Sequence, residues 1–167
     1  MAFARHPDIT CYSIPDERSA AFIALGMARA TGQPVVLACT SGSAALNYSP
    51  ALAEAYFQQI PLIVLTADRP PEWVAQHDGQ TIWQPDIYGK HVKKSFTLQA
   101  DLSHKDAQWH VHRTAADAYL VATEFPQGPV HINTPFREPF YPDQGEEMYF
   151  DADLPVQSEF PASAELT

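Results

Sequence analysis

Positive charge is scarce in this chain. Ten lysines and arginines stand against 20 aspartates and glutamates over 167 residues, a formal charge of −10. That balance argues against nucleic acid or an anionic membrane surface as a partner, because both would be repelled at long range. Cysteine is nearly absent as well: Cys11 and Cys39 both lie in apolar, strand-like runs. No disulfide framework is expected, and buried thiols in a reducing cytoplasm fit better. No apolar run approaches the roughly 18 residues of a membrane-spanning helix. The first residues also lack the charged-then-apolar pattern of a signal peptide. Internal repeats and low-complexity segments are missing too. The remaining composition, 46% hydrophobic and 18% charged, is that of a globular protein. By length the chain is one domain, large enough to bury roughly two-thirds of its unfolded surface.

What is present alternates strand with helix. Ile9-Thr10-Cys11-Tyr12-Ser13-Ile14 reads as a short strand. After it, Ala20, Ile23, Ala24 and Met27 recur at helical spacing and predict one face of a helix. Asp16 is placed as its N-cap, so Glu17 falls at the first helical position, at the positive end of the dipole. Such a carboxylate points out of the carboxyl end of a sheet, where open α/β folds put their ligands. Equally, both acids could simply cap and solvate a helix start. Residues 34–40 and 61–66 are continuous apolar runs, the pattern of parallel strands covered on both faces. Between them Pro50 breaks any regular helix, which predicts a restart with Ser49 as N-cap and Pro50 at the first position.

Residues 72–89 have little periodicity and predict a long loop, a feature that is usually functional in a compact domain. Residues 94–98 read as a strand. Ser103-His104-Lys105-Asp106 has the capping-box pattern and opens a helix to about Thr123. Residues 128–133 form the last expected strand. From about Tyr141 the chain turns acidic and aperiodic, so residues 142–167 are expected to be a linker or extended tail. The fold class is α/β, a doubly wound parallel sheet with helices on both faces.

Several residues carry chemistry in this arrangement. Thr40-Ser41-Gly42-Ser43-Ala44 follows a strand and opens a helix, so its backbone N–H groups could hold an anion or a polar ring edge. It lacks the Gly-Lys-Ser/Thr ending of a P-loop and the Gly-x-Ser-x-Gly of a nucleophile elbow. A plain strand-to-helix turn is the competing reading. Arg69 ends a strand before two prolines, and a planar five-donor head fixed there suits a carboxylate ligand. Alternatively it pairs with a local acid such as Asp68 or Glu72. Gln80 offers an amide in the long loop. His110 and His112 are two apart on a helix and face different ways, so no metal site is expected from this chain. Cys39 has no base near it in sequence and reads as a structural thiol.

Taken together, Asp16-Glu17-Arg18, the residues 40–44 with Asn47, Leu65-Thr66-Ala67-Asp68-Arg69-Pro70-Pro71-Glu72 and Gly79-Gln80-Thr81-Ile82 resemble one family. It is the pyrimidine-binding domain of thiamine-diphosphate enzymes, in the branch of the 2-succinyl-5-enolpyruvyl-6-hydroxy-3-cyclohexene-1-carboxylate synthases of menaquinone biosynthesis. The resemblance runs from about Phe3 to Tyr141, so residues 1–141 make up the domain. It ends in His131-Ile132-Asn133-Thr134-Pro135-Phe136-Arg137-Glu138-Pro139. It implies a synthase that decarboxylates 2-oxoglutarate and joins the remaining unit to isochorismate. Glu17 is implied as the catalytic carboxyl, hydrogen-bonded to the cofactor's aminopyrimidine. Ser41, Gly42, Ser43 and Asn47 are implied beside the cofactor, and Arg69 and Gln80 beside substrate. Mg²⁺ and the diphosphate are implied on a diphosphate-binding domain of a partner subunit, hence in a homo-oligomer. These 167 residues contain no such domain, so the fragment alone is expected to be inactive. The family's first strand and its Ser-Arg turn would precede Phe3. Gly79 departs from the asparagine usual before the glutamine. Two other readings stay open on the residues alone: another thiamine-diphosphate lyase or decarboxylase, and a non-catalytic α/β binding or assembly module.

Overall fold

The computed structural model describes residues 2–137, which fall into two compact units, residues 2–12 and residues 13–137. The first contains one helical turn, α1 (Ala2–Arg5). The second runs α2 (Glu17–Thr31), β1 (Val35–Cys39), α3 (Ser43–Leu46), α4 (Ser49–Phe57), β2 (Leu62–Asp68), β3 (Lys94–Thr97), α5 (Lys105–Thr123) and β4 (Val130–Pro135). The strands form a four-stranded sheet in the order β1-β2-β4-β3, and every pairing is parallel. The proposed tail over residues 142–167 lies outside the described residues, as do Glu138 and Pro139.

The apolar runs explain the layering. Leu62 and Val64 of β2 pack with Ala21 and Ala24 of α2 and with Ala51 and Leu52 of α4. Their neighbours Ile63 and Leu65 pack with Ala118 and Ala122 of α5. Successive strand residues point to opposite faces, so helices cover both sides of the sheet. This is the expected doubly wound architecture. A fully buried leucine such as Leu52 or Leu62 stabilises the fold by about 2 kcal/mol relative to leaving it in water.

Helix α2 buries a face that overlaps the one its spacing suggested at Ala20 and Ala24 but is rotated away from Ile23 and Met27. Ala21, Ala24 and Ala28 are buried, whereas Ile23 and Met27 are exposed. Two overlapping stripes share the same period, and packing chose the one made of alanine. Small side chains let α2 approach Ala51 and Ala55 of α4 closely, which the bulk of Ile23 and Met27 would prevent. The strand expected over residues 9–14 does not form: those residues have no regular structure. A strand needs a neighbour to take its backbone hydrogen bonds, and this segment has no ladder partner among the described residues. Cys11 is accordingly exposed rather than buried. The second helix restarts one residue early, with Tyr48 preceding Ser49 and Pro50 inside the first turn. Helix α5 is capped by His104, whose Nδ1 accepts from Asp106 N–H at 3.2 Å, not by Ser103.

His131 of β4 is fully buried, with its ring edge-on to Tyr88 at 4.8 Å between centroids and Nε2 2.8 Å from Thr66 Oγ1. Burial pushes its pKa down to about 4, opposed in part by Asp86. The folded chain therefore holds a neutral ring, while the unfolded chain takes up a proton near pH 6.5. Because the folded value is the lower one, the contribution is full above pH 6.5 and is lost as pH falls toward 4, by about 3 kcal/mol at most. Between about pH 7 and pH 4.5, Tm should fall more steeply for the wild-type chain than for His131→Gln. Parallel profiles would remove His131 as the cause.

Candidate functional site

The sequence-derived candidates gather at the carboxyl ends of β1 and β2. Asp16 caps α2 as expected: its Oδ1 accepts from Ser19 N–H at 2.7 Å, and this bond holds the Asp16 carboxyl below its usual range. Glu17 is thereby fixed at the first helical position, half-buried. Its carboxylate acts on the residues at the end of β1. Burial is the main cause that pushes the Cys39 thiol up to about 11, and the Glu17 charge adds to it. Tyr48 is raised by burial first and by the same carboxylate as well. Cys39 is thus a protonated, half-buried thiol at neutral pH, in keeping with a structural role.

Ser41 and Gly42 are buried in the turn after β1, while Ser43 and Asn47 are exposed at the two ends of α3. Gly42 has φ 84° and ψ −148°, a region open essentially to glycine alone. A Cβ there would lie 3.0 Å from the backbone of Gln80. The turn and the long loop are therefore in direct backbone contact. Gly42 N–H does not face a ligand, because it donates to Gln84 Oε1 at 2.8 Å. Gly42→Ala should destabilise the chain by about 1–3 kcal/mol through strain and displacement of Gln80. Gly26, mid-helix with nothing near its Cβ position, is the control, since Ala there should stabilise by up to about 1 kcal/mol. Urea unfolding of both variants checks this, and equal effects would show that neither the positive φ nor the Gln80 contact constrains Gly42.

Arg69 is half-buried and reaches into the loop, not toward its sequence neighbours. Its Nε lies 3.4 Å from Asp78 Oδ2, close enough for an ion pair but without hydrogen-bond geometry. Its Nη2 reaches Gly79 O at a long 3.5 Å. The guanidinium thus has a charge partner and one long hydrogen bond, while its Nε is buried with no hydrogen-bond partner. It lines a cavity of about 150 Å³ with Pro70, Trp73, Asp78 and Arg137, and Arg137 pairs with Glu72. The alternative reading, a pairing with a local acid such as Asp68 or Glu72, is met by a different acid: Asp78 is the partner, because the loop folds back. Ala75, His77, Gln80 and Asp86 all adopt positive φ in that loop. Each such non-glycine residue costs about 1–3 kcal/mol and persists only where the surroundings hold it.

A buried hydrogen-bond network underlies these residues. Thr66 Oγ1 donates to Asn133 Oδ1 at 3.1 Å, and Asn133 Nδ2 donates to Asp68 Oδ2 at 2.8 Å. Asp68 Oδ1 accepts from Arg69 N–H at 2.8 Å. Gln84, at 0% exposure, joins the same network. Among the described residues no group of three or more His, Cys, Asp or Glu side chains is arranged to hold a metal ion. No helix among them is long and apolar enough to cross a membrane. The structure thus brings Gly42, Arg69 and Gln80 together and places Glu17 at the neighbouring strand end.

The family profile described as "Thiamine pyrophosphate enzyme, N-terminal TPP binding domain" matches residues 1–88. The chain belongs to this family. Its relatives include a 2-succinyl-5-enolpyruvyl-6-hydroxy-3-cyclohexene-1-carboxylate synthase of Cytophaga hutchinsonii, 55% identical over 161 residues, which covers 96% of this chain and 29% of the relative. Proteins of the same name from Phocaeicola vulgatus and Lysinibacillus sphaericus are 50% and 48% identical, covering 80% and 88% of this chain. The chain spans less than a third of the length of these curated relatives, 29%, 24% and 26%.

In a thiamine pyrophosphate enzyme, the donor set found here suits the aminopyrimidine end of the cofactor. The half-buried carboxylate of Glu17 and the exposed side chains of Ser43 and Asn47 are groups that can hydrogen-bond a neutral heteroaromatic amine. Among the described residues there is no grouped set of carboxylates for the Mg²⁺ ion that carries a diphosphate.

Proposed function

We propose that this chain forms the pyrimidine side of the active site in a thiamine-diphosphate- and Mg²⁺-dependent 2-succinyl-5-enolpyruvyl-6-hydroxy-3-cyclohexene-1-carboxylate synthase. Its substrates would be 2-oxoglutarate and isochorismate, and its place the cytoplasm. The observation that carries this reading is 55% identity over 161 residues to a protein of that name. Mg²⁺ and the diphosphate would be held by a diphosphate-binding domain of a partner subunit in a homo-oligomer. When bound, thiamine diphosphate supplies the nucleophilic carbon and the electron sink for decarboxylation.

Each residue of this chain then has a task that its position can perform. Glu17 hydrogen-bonds the aminopyrimidine ring nitrogen and holds or returns a proton there. Helix α2 fixes it rigidly, because Asp16 closes the first turn. Gly42 brings backbone close to the ring, while Ser41, Ser43 and Asn47 border it. Arg69 binds a substrate carboxylate with the donors that Asp78 leaves free, and Gln80 adds an amide from the loop.

The test is a chimera in which this chain replaces the matching segment of the Cytophaga hutchinsonii protein. The expected result is consumption of isochorismate that depends on 2-oxoglutarate. A folded chimera that decarboxylates 2-oxoglutarate but ignores isochorismate would point to another lyase of the family. A folded chimera with neither activity would leave a binding or assembly module.

A further inference from the structure

Gln84 is fully buried, and its amide joins three elements at once. Its Oε1 accepts from Gly42 N–H at 2.8 Å. Its Nε2 donates to Ala67 O at 2.8 Å and to Asn133 Oδ1 at 3.1 Å. Gly42 follows β1, Ala67 lies in β2 and Asn133 in β4, which are adjacent in the sheet. One head must therefore offer an acceptor on one side and two donors on the other. Only a primary amide does this: a carboxylate has no donor, and an apolar isostere has neither.

The tie extends further through Asn133. With its Oδ1 filled by Gln84 and Thr66, its Nδ2 points at Asp68, and Asp68 in turn fixes the Arg69 N–H. Inside a low-dielectric core an unmet partner is costly, so each member constrains the next. Gln84 also follows Gln80 by four residues, and the Gln80 backbone rests on Gly42. Anchoring Gln84 thus holds the strained loop over the strand ends.

We infer that Gln84 is a positioning residue of this site. It sets the turn at residues 41–43, on the cofactor side, in register with Gln80 and Arg69 on the substrate side. The kinetic consequence rests on the synthase reading above; the geometric one stands without it.

Amide hydrogen exchange followed by NMR on the full 167-residue chain tests the geometric claim. Gly42 N–H should be protected in the wild type, and exchange at the free-peptide rate would overturn the proposal whatever any variant does. In Gln84→Met its exchange should quicken about tenfold relative to the Val64 and Ile132 amides, the scale of one lost hydrogen bond. Gln84→Glu keeps an acceptor for Gly42, so Gly42 should stay within about twofold of wild type. A merely structural role predicts the reverse order, since Met fits a core better than Glu. Equal acceleration in both, or none in Met, refutes the tie. In the chimera, Gln84→Met should raise KM for isochorismate about tenfold, with kcat changed much less. An unchanged KM in an active chimera overturns the positioning role, whereas an inactive parent chimera bears only on the synthase reading.

Discussion

Glu17→Gln in the chimera is expected to lower turnover by roughly 10²–10⁴, the range typical of a general acid–base group. The substitution keeps shape and hydrogen-bonding capacity and removes one property, the ability to give and take a proton. The helix start should survive it, because the Asp16–Ser19 cap does not involve Glu17. Loss of one negative charge at a helix N-terminus costs only about 0.3–1 kcal/mol, far below what the rate change represents. Exchange of the acidic proton on the cofactor's thiazolium ring, followed by NMR, isolates the step in question. Slowed exchange with unchanged cofactor affinity is the expected pair of results. Exchange at the wild-type rate would return Glu17 to a helix-start residue that happens to be acidic.

The features that could be read from sequence are those whose causes are local. The Asp16 cap reaches only three positions along the chain, and the apolar runs that became β1 and β2 declare burial on both faces residue by residue. Glu17 was placed correctly on the helix for the same reason. On α2, period alone does not choose between two overlapping rows, and close packing against α4 decides for the one made of alanine. Residues 9–14 have strand composition, yet a strand is a property of a pair. What could not be read at all is the tie between Gly42 and Gln84, separated by 42 positions, and its continuation to Asn133 and Asp68. No pattern marks a buried glutamine inside a polar loop. The one available hint was the length of the loop, which is unusual for an idle connection in a compact domain. Arg69 shows the same limit: its partner Asp78 is nine residues away and is reached only because the backbone turns at positive φ.

Arg69→Ala should lower kcat/KM for the carboxylate substrate by roughly ten- to a hundred-fold, the equivalent of about 1.5–3 kcal/mol for one charge-assisted hydrogen bond. Cofactor affinity should hardly move, since the guanidinium faces the loop cavity and not α2. Arg69→Lys keeps the charge but loses the planar fork, so it should recover only part of the loss. The competing account is that Arg69 serves Asp78 alone and holds the loop. On that account Asp78→Asn would reproduce the kinetic defect, because it breaks the same pair from the other side. If Arg69 binds substrate, Asp78→Asn instead removes a competitor for the guanidinium and should leave kcat/KM equal or higher. The pair is half-exposed, with side-chain exposures of 37% and 35%, so its own worth in stability is small. A large loss in Arg69→Ala beside none in Asp78→Asn assigns the arginine to substrate. Equal losses in the two variants assign it to the loop.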